Sequence, residues 1–117
     1  MAAVLVARLR LWLPVLLWAG VIFTFSSIPS LSTGLGTWDI VLRKLAHAAE
    51  FAVLGVLVYR AVPRAAVAIA LASAYAVMDE IHQHFVEGRV TSPADWLVDT
   101  AGAAIGLGLY LAWRGRR

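Results

Sequence analysis

The chain has no cysteine, which excludes disulfide scaffolds, thiolate metal sites and cysteine nucleophiles. It therefore says nothing about the redox compartment. Acid is scarce too: seven Asp and Glu among 117 residues, in a chain only 15% charged. Glycine-rich phosphate loops are missing, because Gly34 and Gly36 lie in a loop without strand–helix context. No compact metal motif such as H-E-x-x-H occurs, and no internal repeat or low-complexity tract divides the chain. What fills the space is apolar: 62% hydrophobic residues and a mean hydropathy of +0.81. A soluble domain of this size has too little interior to hide so much apolar surface. The expectation is a single integral membrane domain over residues 1–117.

Four apolar segments carry that expectation, over residues 11–27, 41–60, 65–85 and 94–113. Each is near the ~20 residues that a helix needs to cross ~30 Å of hydrocarbon. The expected fold class is therefore all-α, a bundle of four transmembrane helices. Pro14 stands near the start of the first segment, where proline is tolerated. With Arg8 and Arg10 ahead of it, this segment also resembles a cleaved signal peptide, but no clear A-x-A site follows. Residues 28–38 read as an exposed connection, 60–64 (RAVPR) as a tight turn, and 86–93 (VEGRVTSP) as a polar loop. Ser92, Pro93 and Asp95 read as the N-cap, first-turn proline and first-turn acid of the last helix.

A net charge of +3 and a pI near 10.0 would suggest nucleic acid in a soluble protein. Here the basic residues flank apolar segments instead, and no nucleic-acid partner is expected. Arg8, Arg10, Arg60, Arg64, Arg114, Arg116 and Arg117 fall on one side of a four-span chain, against Arg43, Lys44 and Arg89 on the other. The positive-inside rule puts the larger group, and with it both termini, in the cytoplasm. All the acids (Asp39, Glu50, Asp79, Glu80, Glu87, Asp95 and Asp99) then gather toward the external face. Trp12, Trp38, Trp96 and Trp113 lie near predicted helix ends, as interfacial aromatics do. A carboxylate in hydrocarbon costs roughly 2.5–3.5 kcal/mol or more, so these acids need a partner, a hydrated cavity or a job.

Three polar constellations stand out. In the second segment Lys44, His47 and Glu50 share one helical face, with Glu50 on the order of 16–18 Å from Trp38 and near mid-bilayer. Lys44 and Arg43 are equally able to snorkel as anchors, and His47 to serve as an interhelical hydrogen-bonder. In the third, Asp79, His82 and Gln83 share a face while Glu80 and His84 point away. Acids at a helix C-terminus oppose its dipole, so Lys44, Arg43, Arg89 or a protonated His82 is expected beside Asp79. In the fourth, Asp95, Asp99, Gly102 and Gly106 lie along one stripe; the glycines let another helix approach, including one from a second copy.

Taken together these residues resemble the VanZ-like family. The likeness rests on K-x-x-H-x-x-E at 44–50, D-E-x-x-Q at 79–83, G-R at 88–89 and D-x-x-x-D-x-x-G at 95–102, with Phe25-Ser26-Ser27 closing the first segment. It runs over essentially the whole chain, and matches Lys44, His47, Glu50, Asp79, Glu80, Gln83, Arg89 and Asp95 to the family's polar motif. The family usually has Asn where this chain has Asp99. That extra carboxylate is expected to share a proton with Asp95 or to pair with a cation. The resemblance implies a small multi-pass protein of the bacterial cytoplasmic membrane, whose namesake is linked to low-level teicoplanin resistance.

The leading functional expectation is an outward-facing polar pocket for a membrane lipid or a lipid-linked cell-wall precursor. Its ligand-binding residues would be Lys44, His47, Glu50, Asp79, Gln83, Arg89, Asp95 and Asp99, the cations holding phosphate or pyrophosphate. An enzyme would use His47 or Glu50 as general base, oriented by Asp79 or Glu80; Ser26 and Ser27 are weaker nucleophile candidates. A metal version would recruit His47, Glu50, Asp79 and His82, yet with no compact motif the sequence is read as having no metal and no other cofactor. A structural subunit would use buried ion pairs to fix helix register.

Overall fold

Pro63 forces the residue before it out of the helical region, so Val62 is extended at φ −129°, ψ 96°, and the chain breaks there into two helical hairpins. The computed structural model describes residues 1–28, 36–86 and 92–116. In order these form α1 (Ala2–Ser26), α2 (Thr37–Ala61), α3 (Ala65–His84) and α4 (Pro93–Gly115), with no strand among the described residues. α1 begins well ahead of its uninterrupted apolar run, because Arg8 and Arg10 are good helix formers and nothing before them stops a helix. α2 starts after Gly36, whose φ of 63° suits a residue without a Cβ. The start of α4 is as expected: Ser92 is the N-cap, Pro93 opens the helix, and the Asp95 carboxylate accepts the Ser92 backbone N–H at 3.2 Å.

Register contacts fix the helix directions. His47 meets Asp99 and Ala52 meets Gly106, so α2 and α4 run parallel. Ala19 meets Tyr75 and Ser26 meets Gln83, so α1 and α3 run parallel as well. Phe51 stands against Tyr75 and His47 against Gln83, so α2 and α3 are antiparallel. The bundle thus runs up, down, up, down. α1, α3 and α4 are long and apolar enough to cross a membrane. α2 equals α1 in length but carries Asp39, Arg43, Lys44, Glu50 and Arg60.

Side chains are sorted as a lipid solvent would have it. Leu5, Leu9, Leu13, Leu16, Leu17, Ile105 and Leu109 point outward, whereas Ala68, Ala72, Ala76 and Ala103 are fully buried. Small residues inside let backbones approach, which is how helices associate where burial of apolar surface gives no advantage. The tightest seam joins α2 to α4. A Cβ added at Gly102 would collide with the Ala48 backbone, and one at Gly106 with Ala52. The glycine stripe expected to serve contact with a second copy is therefore filled from within the chain by α2.

Candidate functional site

One buried polar cluster draws a residue from every helix. Ser26 comes from the last turn of α1, His47 from α2, Asp79 and Gln83 from the end of α3, and Asp99 from the second turn of α4. Exposure is 1% for Ser26, 4% for Asp79, 5% for Gln83 and 3% for Asp99, values unusual for such groups unless they are paired or used. The seam explains part of this. Close backbone approach at Gly102 locks α4 against α2, and one turn earlier the same register carries Asp99 onto His47.

His47 Nδ1 lies 3.3 Å from Asp99 Oδ1. On the other edge of the ring, His47 Nε2 is 3.3 Å from the Gln83 side-chain nitrogen. That amide also reaches Ser26 Oγ at 3.1 Å and Asp79 Oδ2 at 3.3 Å. An amide nitrogen has two hydrogens for these three groups, so Gln83 serves two at a time and its choice follows the protonation of the others. Donor atoms of His47, Asp79 and Asp99 all fall within 4.8 Å of one another, a spacing at which they could hold a metal ion. A His–carboxylate pair is also the arrangement that orients a general base.

Above the cluster is a rim. Lys44 Nζ lies 3.8 Å from Asp95 Oδ1, with 43% of the lysine side chain exposed. Lys44 therefore goes to Asp95, and not to Asp79 as its charge suggested. His82 is drawn to α1, stacked on Phe23 at 4.1 Å with its Nε2 3.3 Å from Ser27 Oγ. Glu50 sits near the cluster but outside the three-donor set, and its backbone carbonyl accepts the Trp18 indole N–H at 2.8 Å. It is about one turn inward of His47, which is level with the end of α3. Glu80 also lies outside the three-donor set. Asp99 faces His47, whereas Asp95 turns to Ser92 and Lys44, so the two aspartates do not share a proton. Arg89 lies outside the described residues.

Compared with expectation, His47, Asp79, Gln83 and Asp99 come together, Lys44 and Asp95 form the rim, and the donor set replaces Glu50 and His82 with Asp99. Ser26 enters the family likeness through Phe25-Ser26-Ser27 and is otherwise expected only as a nucleophile, not as part of the polar cluster. Its place at the very end of the first apolar run was the signal that it belongs with the cluster.

No curated protein and no solved structure matches the chain. A family model does, over residues 11–114, a stretch that contains every residue of the cluster and its rim. Its description is VanZ/LLP1, and with that much of the sequence matched, the chain belongs to the VanZ/LLP1 family.

Proposed function

We propose that this protein is a multi-pass component of the bacterial cytoplasmic membrane that holds the headgroup of an envelope lipid or lipid-linked wall precursor. All four helices would cross the bilayer with both termini in the cytoplasm. The observation that carries this reading is the convergence of Ser26, His47, Asp79, Gln83 and Asp99 beneath an accessible lysine. About 21 Å of α2 separates His47 from the Arg60–Arg64 end of the bundle. With that arginine end at the cytoplasmic boundary of ~30 Å of hydrocarbon, the cluster lies on the order of 9 Å beneath the outer boundary. At that depth lipid tails surround the bundle, so a headgroup reaches the cluster through a polar opening beside Lys44.

Lys44 supplies the mobile positive charge for a phosphate or pyrophosphate, with Arg89 as its sequence-level companion. The cluster below accepts or releases protons as the headgroup settles. In the envelope such a protein supports tolerance of teicoplanin-type glycopeptides, as the VanZ resemblance implies. The His47–Asp99 pair favours a second reading, acid–base chemistry on the same lipid, with His47 as base and Asp99 in the orienting role first given to Asp79 or Glu80.

The test is lipid retention. Protein purified from membranes in mild detergent is expected to carry anionic lipid, counted by mass spectrometry after extraction, and Lys44→Ala to lose most of it while inserting normally. Equal anionic-lipid content in both, with unchanged teicoplanin susceptibility on deletion of the protein, removes the proposal.

A further inference from the structure

Ionised together, Asp79 and Asp99 place two negative charges beside one imidazole in a buried cluster. Asp79 and Asp99 are 4% and 3% exposed; His47 lies beside Asp99, and Lys44 goes to Asp95. Asp79 Oδ1 has no hydrogen-bond partner among the described residues, and Asp99 Oδ1 and His47 Nδ1 have only each other, 3.3 Å apart. A protonated His47 cancels only one of two carboxylate charges. The last turns of α1 and α3 bring partial negative charge to this end of the bundle and the first turns of α2 and α4 offset it, so the helix ends do not neutralise the carboxylates. Buried groups of this kind call for a counter-charge, and a divalent cation supplies both units at once.

The geometry approaches that of a site for one. The three donors lie within 4.8 Å of one another, a span that binding would draw in. The 3.3 Å separation of His47 Nδ1 and Asp99 Oδ1 also has the length of an edge in a coordination shell. Bonds of about 2.0–2.2 Å to one ion put neighbouring donors about 3.0–3.4 Å apart. An imidazole with two carboxylates suits Zn²⁺ or Mn²⁺ better than Mg²⁺ or Ca²⁺, which take oxygen donors alone.

We infer that His47, Asp79 and Asp99 bind a divalent transition-metal cation of the Zn²⁺ or Mn²⁺ class. His47 Nδ1 and one oxygen of each aspartate are the ligands. His47 Nε2 then carries the ring hydrogen, and the two Gln83 amide hydrogens go to Asp79 Oδ2 and Ser26 Oγ. Three protein ligands leave open positions on the ion, and a headgroup phosphate oxygen is the group the site would take there. That last step rests on the proposed function; cation binding itself is measured without lipid, so either can fail alone.

The experiment uses the full chain, delipidated in detergent, stripped with chelator and desalted. Titration with ZnCl₂ is expected to give one bound equivalent, with Asp79→Asn and Asp99→Asn each weakening affinity on the order of 100-fold or more. His84→Gln, at an exposed histidine away from the cluster, is expected to bind as the parent does. Zinc bound at well below one equivalent overturns the inference, as does affinity unchanged in aspartate variants that keep the parent's helical circular dichroism. A second readout needs no variant: Mn²⁺ bound to the unmodified protein is expected to show electron spin-echo modulation from a single imidazole ¹⁴N. Its absence in a stoichiometric Mn²⁺ complex overturns the inference equally.

Discussion

The α2–α4 seam and the α1 flank are held to the bundle by different means. Along the seam, backbones approach so closely that Gly102 and Gly106 have no room for a Cβ against Ala48 and Ala52. At the flank, α1 presents large apolar side chains outward and is pinned by polar contacts: Trp18 to the Glu50 carbonyl, the Tyr75 hydroxyl to the Ala19 carbonyl, and Gln83 to Ser26. The contrast separates two uses of small and polar residues in lipid. Close packing fixes register and tolerates no added volume, whereas single hydrogen bonds locate a helix and can be lost one at a time.

The largest expected effect is on the seam. Gly102→Leu must push α4 off α2, and should cost about 3 kcal/mol or more, read as loss of folded protein in a detergent unfolding titration. A fully stable Gly102→Leu would mean that the seam is looser than its contacts indicate. Next comes the flank: Trp18→Phe keeps most of the ring but drops one hydrogen bond, and should lower stability by about 1 kcal/mol in the same titration. At the rim, Lys44→Ala should change stability by less than about 1 kcal/mol, because a half-exposed ion pair contributes little. The smallest effect is expected for Leu16→Ala on the outward face of α1, within about 0.5 kcal/mol. A larger loss there would show that this face meets protein and not lipid.

Helix number and the start of α4 were legible because their signals are local. Pro63 acts on its neighbour, and Ser92, Pro93 and Asp95 act within one turn. The pairing of Asp99 with His47 was not, since it depends on which face of α2 the glycines of α4 choose, a choice made by Ala48 and Ala52. Lys44 illustrates the same gap. Charge alone offered it Asp79, and only the register of the seam delivers it to Asp95. The family resemblance gathers residues from α2, α3 and α4 without saying which of them touch.

Asp95 divides its labour between two oxygens: Oδ2 closes the first turn of α4 through Ser92, and Oδ1 faces Lys44. The post is thereby independent of the latch. An incoming anion can lure the ammonium away while the helix start stays fastened, so occupancy at the rim and integrity of the fold need not rise and fall together.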